Sequence, residues 1–287
     1  ERLDDIGLSH GDIDCYTTPR RMIAIVADVA ASTEALVEEH KGPSVKIAFD
    51  EEGNPTKAAE GFARGKGLDV GSLERREVDG VEYVFAVTSK PAMSATELLP
   101  SVLEGVIESI SWPKSMCWGT EKALFSRPVR WLVAYLGDEI LPVRFAGLEA
   151  GNVTYGHRFL SPGAHEVNRA DDLIGVVRSA HVVPSEDERK AVIASGVAKV
   201  EADTGYTAVL PPKTLTEVIN LSEYPTVMVG TFDEMFLKVP EEIIVDAMLM
   251  HQRYFPLYDN GKLTNKFINV SNGDPECEAT IVDGNER

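Results

Sequence analysis

Three short stretches combine arginine with aromatic rings: Arg20-Arg21 behind a Thr17-Thr18-Pro19 turn, His157-Arg158-Phe159 in a glycine-bounded loop, and His251-Gln252-Arg253-Tyr254-Phe255. Guanidinium groups contact phosphate and rings stack on unpaired bases, so this pairing fits single-stranded RNA. The same residue types also fit a buried ring beside an arginine paired with an acid, and the sequence alone leaves both readings open. Lys57, Arg64 and Lys66 add a locally basic segment. Gly65-Lys66-Gly67 is too short to cradle a phosphate and follows a helical pattern that it would have to precede.

Motifs for catalysis are absent: there is no G-x-S-x-G, no Walker loop and no G-x-G-x-x-G. His10, His40, His157, His165, His181 and His251 show no H-x-x-x-H or HExxH spacing, so no metal site is expected. Cys15, Cys117 and Cys277 are far apart, odd in number and form no C-x-x-C. A disulfide framework or zinc site is not expected from them, and a reducing cytoplasm is the natural compartment.

The chain of 287 residues carries 28 Lys plus Arg against 46 Asp plus Glu, a net charge of −18. Phosphate binding rests on clustered positive charge, so this balance excludes a surface that grips nucleic acid all over, while allowing a local basic patch. No run approaches the roughly 18 apolar residues of a membrane span, and the N-terminus lacks the shape of a signal peptide. The missing initial Met and the uncapped Gly284-Asn285-Glu286-Arg287 end lead us to expect a piece cut from a longer chain.

The elements that must position these residues read as α+β, with mixed or antiparallel sheets and packed helices. Residues 1–18 read as the polar end of a truncated element, followed by a strand over Arg20–Val29. Thr56 is the expected N-cap of a short helix that turns Ala59, Phe62 and Ala63 to one side. A strand is expected over Glu82–Thr88. The clearest helix runs Ser94–Ile110, opened by a Ser94/Glu97 capping box, with a stripe from Leu98 to Ile110 expected to pack in the core. Arg130–Leu136 and Ile140–Phe145 read as a hairpin.

Further along, Ser185 with Glu188 opens a helix that runs to about Asp203 and stops at Gly205. Thr214 with Glu217 opens another. Thr226–Thr231 is a strand. A helix starting at Pro240 is expected to place Ile244, Ala247, Met248 and His251 on one face. Arg253–Tyr258 and Lys266–Val270 are strands around Asp259-Asn260-Gly261, a hairpin signal. Two subdomains are expected, over 1–155 and 156–287.

Several collinear segments carry a resemblance: TPRR (Thr18–Arg21), KGP (Lys41–Pro43), KAAEGFARGKG (Lys57–Gly67), FSRPVRWL (Phe125–Leu132), GHRF (Gly156–Phe159), EYPTVMVGTFDEMFLKVPEE (Glu223–Glu242), HQRYFPLY (His251–Tyr258) and the final GNER. In this order they resemble the beta subunit of bacterial glycyl-tRNA synthetase, across essentially the whole chain. The resemblance implies an N-terminal portion of that subunit, without the class II catalytic centre, which lies in the alpha subunit and uses ATP and Mg there. It implies no cofactor bound by this region and no catalytic residue. It implies as partners the alpha subunit, a second beta subunit in an alpha2beta2 assembly and tRNA of glycine specificity, in the cytoplasm and away from membranes.

It also implies a fold similar to the B3/B4 module of the phenylalanyl-tRNA synthetase beta subunit, which holds an editing site there. Glycine is the smallest amino acid, so a sieve against larger residues has little physical motive, and no editing residues are carried over. A deacylase and a purely architectural scaffold stand as the alternative readings. The RNA-contact candidates are Arg20, Arg21, Lys57, Arg64, Lys66, Arg127, Arg158, Arg253 and Tyr254.

Overall fold

In the computed structural model, which describes residues 1–120 and 122–286, the chain is α+β with several small antiparallel sheets. It divides into two compact units, Glu1–His10 with Asp28–Val102, and Gly11–Ala27 with Leu103–Arg287. The first division therefore falls inside helix Ala95–Ser109, and the expected boundary between residues 155 and 156 lies within the second unit.

The first unit holds a three-stranded antiparallel sheet in the order Leu36–Ser44, Val81–Lys90, Glu74–Val78. Helix Lys57–Gly65 lies against it because Ala59 packs with Ala48 and Val84, and Ala63, four residues on and on the same side, is buried too. Thr56 is the N-cap by position, but its hydroxyl donates to the Ile47 carbonyl at 2.7 Å and accepts nothing from the helix. The expected Ser94/Glu97 box does not form either: Ser94 Oγ accepts from Thr96 N at 3.3 Å. The stripe on that helix is covered only in part. Leu99 is buried, while Val106 is exposed and its apolar neighbours are half-buried, so core packing holds only at the start of the stripe.

The second unit is built around a four-stranded antiparallel sheet, ordered Thr207–Ala208, Phe255–Asp259, Lys262–Ser271, Thr226–Thr231. Helices Glu186–Thr204 and Pro212–Leu221 bury Ile193, Val197, Val218 and Ile219 against Phe255, Leu257 and Ile268. Here local signals hold. Ser185 Oγ accepts from Glu188 N, Gly205 ends the helix with φ 72°, and Asn260 and Gly261 turn the hairpin with φ 45° and 78°. Helix Pro212–Leu221 starts two residues before Thr214, because Pro212 at the first helical position needs no donor and sets φ. Thr214 is buried.

Three expectations fail in detail. Ile13–Thr18, read as a polar end, is a strand paired with Arg21–Val26. The hairpin expected over residues 130–145 reduces to two-residue ladders, Tyr135–Leu136 with Glu139–Ile140 and Arg144–Phe145 with Leu148–Glu149. The α-helix from Glu241 ends at Asp246 and continues as a π turn over Ala247–Gln252. That turn breaks the 3.6-residue spacing, so Met248 is buried while Ala247 and His251 are exposed. Arg253 follows in the left-handed region with φ 59°, and the strand begins at Phe255.

Candidate functional site

The hairpin Ile13–Thr18/Arg21–Val26 turns through Pro19 and Arg20, and this turn brings together two of the three arginine–aromatic stretches, its own and that of the 156–159 loop. Arg20 Nη1 donates to the Gly156 carbonyl at 3.1 Å, and Arg21 Nη2 donates to the Tyr155 carbonyl at 3.0 Å. Beneath them lies Glu223, between helix Pro212–Leu221 and strand Thr226–Thr231. Its side chain is 1% exposed and that of Arg21 is 4% exposed. Arg21 Nη1 and the Thr18 hydroxyl both donate to Glu223 Oε1, the hydroxyl at 2.6 Å. Arg20 Nη1 stands 3.6 Å from Glu223 Oε2. Burial pulls the Arg21 guanidinium below its ordinary value and the Glu223 charge opposes that. An arginine stays charged through such a shift, so this is a buried ion pair.

Arg189 joins the same region. Its guanidinium is fully buried yet stands in no ion pair among the described residues. It donates to the carbonyls of Ile219, Val183, Pro184 and Thr17 at 2.8 to 3.0 Å, tying the first strand of the hairpin to helix Pro212–Leu221. Desolvation lowers its pKa and the charges of Glu186 and Glu223 work against that. Four carbonyl dipoles replace the water that the cation has lost.

The Gly156–Phe159 loop is fixed from within. A Cβ on Gly156 would sit 2.5 Å from the Ser161 carbonyl oxygen and 2.8 Å from Ala180 Cβ, so only glycine allows this approach. His157 is buried, and its Nδ1 accepts from Leu160 N at 3.2 Å. An accepting Nδ1 puts the proton of the neutral ring on Nε2, which is buried with no hydrogen-bond partner among the described residues. With His157 facing inward, Arg158 and Phe159 are thrown outward, Phe159 being 63% exposed. Trp131 stacks obliquely on Tyr155 at 5.1 Å, and the Arg20 guanidinium lies 6.0 Å from the Trp131 ring centroid. Arg127 is exposed and donates to the Pro19 carbonyl at 3.2 Å.

The result is a cationic, aromatic surface of Arg20, Arg127 and Arg158 with Trp131, Tyr155 and Phe159, standing on the buried Arg21–Glu223 pair. Arg21 itself is a support and is closed to a phosphate. Arg253 and Tyr254 belong elsewhere in the second unit. Arg253 Nε donates to Glu217 at 3.0 Å in a half-exposed pair, and Tyr254 stacks on Phe267 at 4.5 Å with its hydroxyl on Asn285. Lys57, Arg64 and Lys66 lie in the first unit, exposed on helix Lys57–Gly65 and its C-cap. In the GNER segment, Arg287 lies outside the described residues.

Sequence reading missed Arg189, and it missed that Glu223 is the carboxylate the turn closes on. Arg189 did leave a trace: it stands four and eight residues before the buried Ile193 and Val197, on the apolar face of its helix. Among the described residues no group of three His, Cys, Asp or Glu is placed to hold a metal ion, and no helix is long and apolar enough to cross a membrane.

Comparison with known proteins now adds to this geometry. A family profile described as the glycyl-tRNA synthetase beta subunit matches residues 1–287. The glycine–tRNA ligase beta subunit of Moorella thermoacetica is 42% identical over 286 residues, covering 99% of this chain and 41% of that protein. Its counterpart in Syntrophomonas wolfei is 41% identical over 288 residues, and that of Bacillus subtilis is 39% identical over 293 residues, each matched over 42% of its length. The chain thus spans about two fifths of the length of the curated relatives it matches.

Proposed function

This chain belongs to the glycyl-tRNA synthetase beta-subunit family, and from that we propose that it serves the ATP-dependent charging of tRNA with glycine by contacting the tRNA and supporting subunit assembly. The observation that carries the RNA role is the exposed set Arg20, Arg127 and Arg158 beside Trp131, Tyr155 and Phe159, standing over the buried Arg21–Glu223 pair. In this reading the region itself makes no bond. The adenylate chemistry, with its ATP and Mg, belongs to the alpha subunit of an alpha2beta2 enzyme in the cytoplasm. The fold likeness to the B3/B4 module rests on the family resemblance and brings no deacylase chemistry with it.

Lys57, Arg64 and Lys66 stay candidates for a second RNA contact, on the ground of their exposure. A specific observation favours the architectural reading for the third stretch: Arg253 is paired with Glu217, and Tyr254 is packed on Phe267. HQRYF thus contributes Phe255 to the core and a paired arginine, while GHRF turns Arg158 and Phe159 outward.

The test is kinetic. In the complete enzyme Arg158→Ala should raise KM for tRNA several-fold while leaving KM for glycine unchanged. It should also lessen the steepness with which tRNA affinity falls in salt, by roughly the 0.7 to 0.9 logarithmic units expected per lost phosphate contact. Unchanged tRNA kinetics in Arg158→Ala, Arg127→Ala and Arg20→Ala alike would refute the RNA role.

A further inference from the structure

Arg158 and Phe159 sit on a single turn, and one side chain beneath them decides its shape. His157 Nδ1 accepts from Leu160 N at 3.2 Å and from Phe159 N at 3.4 Å, and Ser161 N donates to the His157 carbonyl at 3.1 Å. A side chain that accepts from the amides two and three residues on has the arrangement of a helix N-cap. Here a ring nitrogen supplies it, to a turn that stops after one revolution. The backbone entering the turn is fixed as well. Arg20 and Arg21 donate to the Gly156 and Tyr155 carbonyls, and His157 N donates to the Ala180 carbonyl at 2.8 Å. The Tyr224 ring, next to Glu223, lies 6.5 Å from the imidazole.

For stability alone histidine is a poor choice at this position. The side chain is fully buried, and Nε2, which carries the proton when Nδ1 accepts, has no hydrogen-bond partner among the described residues. A buried donor left unpaired costs stability that an apolar side chain of similar volume would not. What the imidazole has and an apolar side chain lacks is the acceptor at Nδ1. Its effect falls on Arg158 and Phe159, the first two residues of the capped turn, which are both exposed.

We infer that His157 is a positioning residue for the RNA contact: by accepting the Phe159 and Leu160 amides it holds Arg158 and Phe159 outward, and so sets tRNA affinity without touching the tRNA. The inference rests on the proposed RNA role, and it names the residue on which the shape of that surface depends. The turn is ordered before RNA arrives, so binding does not bear the cost of ordering it.

The test compares variants in the complete enzyme. His157→Leu keeps the bulk and removes the acceptor. It should raise KM for tRNA roughly fivefold, the effect of one lost cap, with kcat and KM for glycine near their wild-type values. His157→Asn brings the acceptor back, because Asn Oδ1 takes the place of Nδ1 and asparagine is a favoured cap, so KM for tRNA should return close to wild type. His157→Gln carries its carboxamide further out, where Nε2 stood, and should behave as the leucine variant does. In a background of Arg158→Ala with Phe159→Ala, His157→Leu should raise KM no further, because the residues through which it acts are gone.

Wild-type KM for tRNA in His157→Leu overturns the inference. So do equal losses in the leucine and asparagine variants, or an undiminished further loss in the background without Arg158 and Phe159, since either makes His157 a packing residue only. Should His157→Leu fail to fold or assemble, asparagine against glutamine decides alone, and equal KM in those two overturns the inference. A loss in Arg158→Ala beside wild-type behaviour in His157→Leu removes this inference and leaves the RNA role standing. Unchanged tRNA kinetics in Arg20→Ala, Arg127→Ala and Arg158→Ala alike remove both.

Discussion

At the scale of single residues, the region turns on Glu223. One carboxylate, almost fully buried, receives the Thr18 hydroxyl and the Arg21 guanidinium and lies near Arg20. Removing one member of a buried pair leaves the other charge unpaired, a loss of about 3–5 kcal/mol. Arg21→Ala and Glu223→Ala should each lose stability on that order, in urea unfolding followed by fluorescence. The double variant should lose less than the two singles together, by about 0.5–3 kcal/mol, because the second change removes a charge already stranded by the first. Simple additivity would mean that the pair does not act as a unit. None of this was legible in the sequence. Glu223 lies 205 positions from Thr18 and 202 from Arg21, and in a chain with 46 acids nothing marks one of them as the partner. What could be read was composition: arginine beside rings, in the TPRR and GHRF stretches.

At the scale of elements, the same three-residue spacing of Ser and Glu had two outcomes. Ser185 and Glu188 form the expected cap, with Ser185 Oγ accepting from Glu188 N at 3.3 Å. Ser94 and Glu97 do not, since the Ser94 hydroxyl is engaged with Thr96 at 2.8 Å. Ser185→Ala should therefore cost about 1 kcal/mol and speed amide exchange over the first turn of helix Glu186–Thr204. Ser94→Ala should leave the exchange of Glu97 and Leu98 amides nearly unchanged, because the Ser94 carbonyl, and not its side chain, receives them. Equal effects at both serines would contradict the assigned hydrogen bonds. Local signals of this kind were read correctly at Gly205 and at Asn260-Gly261, where a left-handed backbone position decides. They failed at Ile13–Thr18, a strand only through its pairing with Arg21–Val26 across a two-residue turn, and at Ala247–Gln252, where a π turn with Met248 buried breaks the helical spacing. The apolar stripe of helix Ala95–Ser109 is the clearest overreach, for periodicity states which face is apolar and cannot state how much of it is covered.

At the scale of the whole molecule, the balance of charge sets how RNA can be met. The chain is acidic overall, with a net charge of −18, and the exposed Arg20, Arg127 and Arg158 stand with Trp131 and Tyr155 as a local cationic patch in the second unit. Such a patch suits a part that touches RNA in one place, where general attraction to phosphate would work against specificity. Deleting this region from the beta subunit tests both roles at once. With alpha subunit present, charging of glycine tRNA by the shortened protein should be lost or greatly reduced, and co-sedimentation tells why. Intact assembly with a raised KM for tRNA would place the region on the RNA side. Failure to assemble would place its weight on subunit assembly. Full charging by a normally assembled enzyme would refute both, because neither the cationic face nor an assembly contact in this region would then be needed. The outcome expected from the two proposed roles together is a loss in each measurement. Adding excess alpha subunit should then restore part of the assembly without restoring tRNA affinity, since mass action can offset a weakened protein contact while the arginines that meet the RNA stay absent.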